Sequence, residues 1–347
     1  VDFLHNLGYR GQGIKIAVLD GGFYGVDFGI GFQSLRDKNQ IIETINFPDD
    51  NDQVYISSTH GSNVLSIMAV DEPGKFIGSA PDADYYLFRT EVVESERVIE
   101  EDYWMQAAEY ADFIGADIIN SSLGYTTFDT ITEDHTYADM DGNTTVATIA
   151  ADRAAAAGIL VCNSAGNEGA ASWHYVSMPA DGDSVFTIGG VDTAGIHVAF
   201  SGYGPTFDGR LKPNVVALAS GSAVLDPAGY VNYLGGTSFS SPLIAGACAS
   251  LWQAFPAKNN MEIIDAVQRS AHLYLTPNDS MGYGIPNFGL AYDILLSETD
   301  TIVEDTTGED TTTVDIFNIL PNPAGAFFNV FIFLKCNEDV ETSPNKF

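Results

Sequence analysis

A serine at position 238 stands between a glycine pair and a run of small residues, Gly235-Gly236-Thr237-Ser238-Phe239-Ser240-Ser241-Pro242. A hydroxyl attacks a carbonyl when a base takes its proton, a third group orients that base, and donors meet the developing oxyanion. The sequence holds a candidate for each part. His60, in Ser58-Thr59-His60-Gly61-Ser62-Asn63-Val64, opens an apolar helical run with small neighbours. Asp20 closes the apolar run Ala17-Val18-Leu19 ahead of Gly21-Gly22, where glycines let the chain turn away sharply. Asn167, in Val161-Cys162-Asn163-Ser164-Ala165-Gly166-Asn167-Glu168-Gly169, offers an amide donor without charge. Ser238, at the start of a helix, would also turn its own backbone N–H toward an oxyanion. Each segment taken alone has a plainer reading. Asp20 serves equally as a turn residue or helix cap, His60 as a cap or surface residue, Asn167 as a tight turn, and Ser238 as the N-cap of a buried helix.

Together, in the chain order Asp20, His60, Asn167, Ser238, these segments resemble those of the subtilisin-like serine peptidases. The resemblance covers roughly Leu7 to Gly289 and implies a secreted serine endopeptidase of broad specificity that acts on polypeptides. It assigns Asp20, His60 and Ser238 to catalysis and Asn167 with the Ser238 amide to an oxyanion hole. No cofactor is required for that chemistry. Ile119-Asn120-Ser121-Ser122-Leu123-Gly124 looks like the family's strand that pairs with the substrate backbone, which makes Ser122, Leu123 and Gly124 binding residues, together with Gly166 and Glu168. Without the triad, the same stretch reads as a strand ending in a glycine turn. Main-chain pairing with an extended peptide explains how such an enzyme accepts many sequences. Glu168 at the pocket rim would favour a basic side chain before the cut. Phe200-Ser201-Gly202-Tyr203-Gly204 and Lys212-Pro213-Asn214-Val215 are further landmarks. Phe239-Ser240 departs from the family's usual Met-Ala, which puts the packing under the nucleophile in question. A catalytically silent subtilisin-like binding or scaffold domain is the alternative. An α/β-hydrolase esterase is disfavoured, because that fold wants Gly-x-Ser-x-Gly and the order Ser, Asp, His.

Such residues must be held by a rigid frame. Short apolar runs alternating with amphipathic stretches from Ile14 to about Phe255 predict an α/β fold, a doubly wound, mainly parallel sheet flanked by helices. Strands are expected at Ile14–Leu19, Tyr85–Phe88, Ile118–Asn120, Ile159–Val161 and Val185–Ile188, their continuous apolar character suiting burial on both faces. Helices are expected at Asp102–Ile114, Thr144–Ala157, Ser240–Phe255 and Met261–Ser270, with Gly158 as a helix stop. The catalytic domain would span 1–296. A Thr- and acid-rich linker at 297–315 follows, then a short β-type C-terminal segment at 316–347. There, Asn318-Ile319-Leu320-Pro321-Asn322-Pro323-Ala324 resembles the start of a type IX secretion sorting domain of Bacteroidetes, which implies secretion machinery as a partner and a secreted or cell-surface bacterial location. An incidental Pro-Asn-Pro turn is the plainer reading.

Composition narrows the classes of partner. With 14 Lys plus Arg against 47 Asp plus Glu and a net charge of -33, the chain repels nucleic acid phosphates and anionic membrane surfaces. No apolar run approaches the roughly 20 residues that span a bilayer, so membrane insertion is not expected. The first residues, Val1 to Arg10, lack a signal-peptide layout and a starting Met, which suggests a mature or trimmed form. Three scattered cysteines suit neither a disulfide framework nor a metal cluster, and Cys162 and Cys248 sit in apolar runs as core residues. Asp139-Met140-Asp141-Gly142-Asn143 spaces two carboxylates like the opening of a calcium loop, but the later Glu is missing and a plain turn fits as well. Structural calcium at Asp139 and Asp141 is thus a candidate. His135, His174, His197 and His272 lack metal-ligand spacing and are read as structural or surface residues.

Overall fold

Strands buried on both faces must divide their side chains between two cores, and Lys15–Asp20 does so. Ile16 and Val18 enter one cluster with Val64, Leu65 and Ala245, whereas Ala17 and Leu19 enter another with Trp104, Ala107 and Ala151. The computed structural model describes residues 1–56 and 58–300. Its strands are β1 (Lys15–Asp20), β2 (Ile41–Asn46), the short pair β3 (Asp71–Glu72) and β4 (Phe76–Ile77), β5 (Asp84–Arg89), β6 (Ile118–Ser121), β7 (Leu160–Ser164), β8 (Phe186–Val191), β9 (Val215–Leu218), β10 (Ser220–Leu225) and β11 (Val231–Gly235). The α-helices are α1 (Asp2–Asn6), α2 (Gln33–Asp37), α3 (His60–Ala69), α4 (Ile99–Phe113), α5 (Val146–Ala157), α6 (Thr237–Ala254), α7 (Asn260–Arg269) and α8 (Phe288–Asp300).

Seven strands form one sheet in the order β2-β5-β1-β6-β7-β8-β9, and every pairing in it is parallel. The doubly wound α/β fold expected from the sequence is therefore the fold observed. Helices α3 and α6 lie in the first core, α4 and α5 in the second. The chain runs from β1 outward to β2, returns through β5, and crosses to β6 on the other side of β1. Ligands of such sheets bind where the order reverses, beyond the carboxyl ends of the strands. Here that place is the crevice above β1 and β6.

All five expected strands are present with ends displaced by a few residues, and Gly158 caps α5 in the left-handed region at φ 112. Two sheet strands had no clear signal. Ile41–Asn46 is an edge strand of mixed polarity and partial exposure, and Val215–Leu218 is only four residues long. Helix α6 begins at Thr237, three residues before the expected Ser240, and is buried almost all round. Cys162 and Cys248 are free and buried, as expected. The last helix, α8, was not expected from the sequence and runs to Asp300, past the expected start of the linker at 297. Its acidic turn is held by basic neighbours, with Glu298 accepting from Arg269 Nη1 at 2.6 Å and from Lys258 Nζ at 3.3 Å. The rest of the expected linker, and the sorting-type segment with Cys336, lie outside the described residues. Among the described residues, no helix is long and apolar enough to cross a membrane.

Candidate active site

Asp20 is the last residue of β1 and is fully buried at the crevice. Its carboxylate accepts the N–H of Gly21 at 2.8 Å and meets His60 Nδ1 through both oxygens at 2.9 Å each. His60 is the first residue of α3, its backbone N–H held by Ser58 Oγ at 3.0 Å, and its side chain remains 37% exposed. The charge of Asp20 raises the imidazole pKa above its ordinary value. Burial opposes that shift, and the Asp20 hydrogen bond adds to it.

The glycines beside these residues are there for space. A Cβ on Gly61 would lie 2.5 Å from the Gly22 carbonyl and 2.9 Å from Asp20 Cβ, so only glycine lets α3 approach β1 closely enough for the imidazole to reach the carboxylate. Gly22 has φ 144, and a Cβ there would meet the Ile56 carbonyl at 2.2 Å. Gly61→Ala is therefore expected to destabilise the fold by about 1–3 kcal/mol through overpacking, against a helix-propensity gain of at most about 1 kcal/mol. A lower urea midpoint together with reduced peptidase activity would show this; an unchanged midpoint would mean that the contact relaxes freely.

Ser238 is the second residue of α6 and is 7% exposed. Pro242 lies four residues on inside the same helix and has no N–H to return to the Ser238 carbonyl. Ser122 Oγ fills that role, donating to Ser238 O at 2.9 Å, while Ser238 Oγ donates to Ser122 O at 3.4 Å. The strand-end segment and the helix start are thus laced together across 116 positions of sequence. Asn120 Oδ1 adds a second tie by accepting from Ser241 Oγ at 2.9 Å. Asn167 Oδ1 accepts from Thr237 N at 2.8 Å and Thr237 Oγ1 at 3.1 Å, which assigns its amide orientation and leaves Nδ2 as a donor beside Gly236. Phe239, the departure noted in the sequence, is buried with its ring 5.9 Å from the His60 ring, and Ser240 Oγ donates to Thr237 O at 2.9 Å. Both residues fit the helix start without disturbing it.

A cavity of about 350 Å³ brings Asp20, His60, Ser122, Leu123, Gly124, Gly166, Asn167 and Glu168 together. Residues that sequence reasoning did not assign to the site line it as well, among them Glu91, Glu96, Ser164 and Ser177. Glu91 accepts from Tyr125 OH and Thr90 Oγ1, and burial, reinforced by Glu100, holds its carboxyl well above the usual range. Burial first, then the charges of Glu100, Asp129 and Glu168, push Glu96 up to about 7. Glu168 Oε2 accepts the N–H of Asn167 at 3.0 Å. The signal for Glu91 and Glu96, a carboxylate-rich stretch just after a buried strand, was available but could equally have been solvated surface.

Asp139 and Asp141, the expected calcium pair, each stand in a turn of their own. Asp139 Oδ2 accepts from Thr136 N at 2.7 Å and Thr136 Oγ1 at 2.8 Å in a capping box, and Asp141 accepts from Asn143 N at 2.9 Å and Thr144 Oγ1 at 3.0 Å. Each carboxylate thus serves its own turn, as the plainer reading has it. Among the described residues, no group of three or more His, Cys, Asp or Glu side chains is placed to hold a metal. The histidines apart from His60 have structural partners: His5 meets the Ser79 carbonyl at 3.2 Å, His135 Glu101 at 2.7 Å, His174 the Gly169 carbonyl at 2.9 Å, His197 the Tyr203 hydroxyl at 3.3 Å, and His272 the N–H of Ile285 at 2.9 Å.

The family model described as the Subtilase family matches residues 11–284. Subtilisin from Bacillus pumilus is 28% identical over 288 residues, 82% of this chain and 92% of that protein. Subtilisin E from Bacillus subtilis strain 168 is 28% identical over 288 residues, 82% of this chain and 67% of that protein. The crystal structure of fervidolysin from Fervidobacterium pennivorans, a keratinolytic enzyme related to subtilisin, shares the fold with a TM-score of 0.65 at 22% identity, over 84% of this chain and 44% of that one.

Proposed function

The chain belongs to the subtilase family and is a serine-type endopeptidase of the subtilisin-like kind, and from that premise we propose that Ser238 is its nucleophile, His60 its general base and Asp20 the carboxylate that orients the base. In this reading the Ser238 hydroxyl turns from Ser122 toward the imidazole and attacks the scissile carbonyl, and His60 takes the proton. The tetrahedral oxyanion is held by Asn167 Nδ2 and the Ser238 N–H. Collapse breaks the C–N bond, His60 returns the proton to the leaving amine, and water repeats the sequence on the acyl-enzyme. No cofactor takes part. Ser122, Leu123 and Gly124 would pair with the substrate main chain, so that most positions of the peptide are accepted broadly.

The observation that carries the assignment is the imidazole of His60 clasped by both oxygens of a fully buried Asp20, in one cavity with Asn167. A fluorophosphonate probe tests it: labelling at Ser238 is expected, and an unlabelled protein of native fold would favour the silent scaffold. Asn167→Ala is expected to lower kcat by about 10²–10³-fold, the loss known for an oxyanion-hole asparagine in subtilisin, with KM changing little. A KM effect alone would make Asn167 a binding residue. The reading extends to a secreted or surface enzyme of bacteria, supported by the resemblance of Asn318–Ala324 to a sorting segment. Export of a reporter carrying residues 297–347 from a host with type IX secretion tests that part.

A further inference from the structure

Lys212 has no part in the chemistry proposed above, yet it places a cation in the core, at 2% exposure. Its ammonium donates to Val185 O at 2.7 Å, Thr187 Oγ1 at 3.0 Å and Asn214 Oδ1 at 3.2 Å, so that three N–H groups meet three acceptors. Val185 and Thr187 stand at the entry to β8, and Asn214 at the entry to β9. Those two strands are already paired, and an apolar side chain of similar volume would hold them about as well as a buried ion. The hydrogen bonds lead instead toward the substrate cavity. Thr187 Oγ1, accepting from Lys212, donates to Ala180 O at 2.5 Å. Ala180 N donates to Ser177 O at 2.9 Å, and Met178 O accepts from Tyr125 N at 3.0 Å. Tyr125 follows Ser122-Leu123-Gly124 directly, and Ser177 packs so closely there that a Cβ on Gly124 would lie 2.1 Å from its hydroxyl oxygen. The segment from Ser177 to Thr187 therefore touches the cavity at one end and Lys212 at the other. Four charged groups face the ammonium: Arg210 from its own segment, Asp181 and Asp183 from the loop before β8, and Asp152 from α5. Burial, aided by Arg210, lowers the Lys212 pKa to about 7 against the pull of the three carboxylates.

We propose, resting on the peptidase reading above, that Lys212 is a positioning residue for substrate binding: its ammonium pins the segment from Ser177 to Thr187, which in turn sets the place of Ser122-Leu123-Gly124. A neutral amine has two N–H groups for the three acceptors, so deprotonation releases one of the three bonds. The hold is complete below pH 7 and loosens as pH rises through about 7. Binding weakens rather than the chemical step, because Asp20, His60 and Ser238 are carried by β1, α3 and α6, outside the pinned segment.

The experiment measures KM and kcat of the full chain and of Lys212→Met across the neutral range, on an internally quenched peptide without charged side chains. The ratio of KM between variant and native chain isolates Lys212, since His60 and Glu96 titrate in both. It is expected to be about tenfold at about pH 6 and to fall to about twofold at about pH 9, with kcat within about twofold throughout. Methionine keeps the stem without the charge, so the thermal midpoint is expected to hold. Thr187→Val, which removes the relaying hydroxyl, is expected to raise KM severalfold at about pH 6, and the double variant to add nothing further. A KM ratio of one, or one that does not change with pH, overturns the proposal. So does a lowered midpoint with kcat and KM impaired together, which makes Lys212 a structural residue. Should Lys212→Met not fold, Thr187→Val decides alone, and a native KM there overturns the proposal. Failure of the native chain to cut the peptide overturns the peptidase reading itself, whereas unchanged KM in the variants leaves that reading intact.

Discussion

Replacing Ser238 with alanine is expected to reduce kcat by about 10⁶-fold, the order known for loss of the triad serine in subtilisin, and to leave the fold in place. At about 1.4 kcal/mol per tenfold, that is roughly 8 kcal/mol of transition-state stabilisation. It is far more than the removed atom contributes to folding. The Ser238 hydroxyl makes one long hydrogen bond, 3.4 Å to Ser122 O, and the tie that holds the helix start runs instead from Ser122 Oγ to the Ser238 carbonyl, which alanine keeps. A stability change within about 1 kcal/mol follows. Casein digestion and the thermal midpoint of the purified variant measure the two effects separately. Digestion at the native rate would remove Ser238 from the mechanism. Lost digestion with a collapsed midpoint would mean that the hydroxyl is structural.

Asp20→Asn should lower kcat by about 10⁴-fold, because an amide in place of the carboxylate stabilises the wrong imidazole tautomer and no longer supports the imidazolium. Its pH signature separates this role from a merely structural one. The charge of Asp20 is the largest influence raising the His60 pKa, and burial opposes it. With asparagine the opposing effect remains alone, so His60 stays neutral to lower pH. The acid limb of the residual activity is then expected to move to lower pH even as the plateau falls. Stability follows the same linkage. Since the folded pKa of His60 lies above its ordinary 6.5, the pair with Asp20 stabilises the fold fully below pH 6.5 and loses that contribution as pH rises through the folded value. Asp20→Asn should accordingly cost more stability at pH 5 than at pH 9. An acid limb that stays in place would show that Asp20 does not set the charge state of the base.

The sequence by itself determined the fold class and the chemistry-bearing segments. Buried parallel strands announce themselves as continuous apolar runs, and the glycines beside Asp20, His60 and Asn167 mark close approaches of the chain. The reason Gly61 must be glycine is already implicit in His60-Gly61, although the Gly22 carbonyl it makes room for belongs to another segment. Asp139 and Asp141 show the limit of spacing as a guide: the same two carboxylates suit a cation loop or two turns, and their hydrogen bonds to Thr136, Asn143 and Thr144 are seen only in the structure. Residues whose meaning comes from partners far along the chain were decided by the tertiary structure alone. Ser122 supports the Ser238 carbonyl because Pro242 cannot, and no local pattern links β6 to α6. Ser177 lies in an unremarked loop until the sheet order sets the segments after β6 and β7 beside it, where Gly124 and Gly166 leave its hydroxyl without a partner. Apolar periodicity and glycine placement are local consequences of burial and sterics, so they are written in the chain. The contents of a pocket are set by which strand ends the crossovers bring together, and that is a property of the fold as a whole.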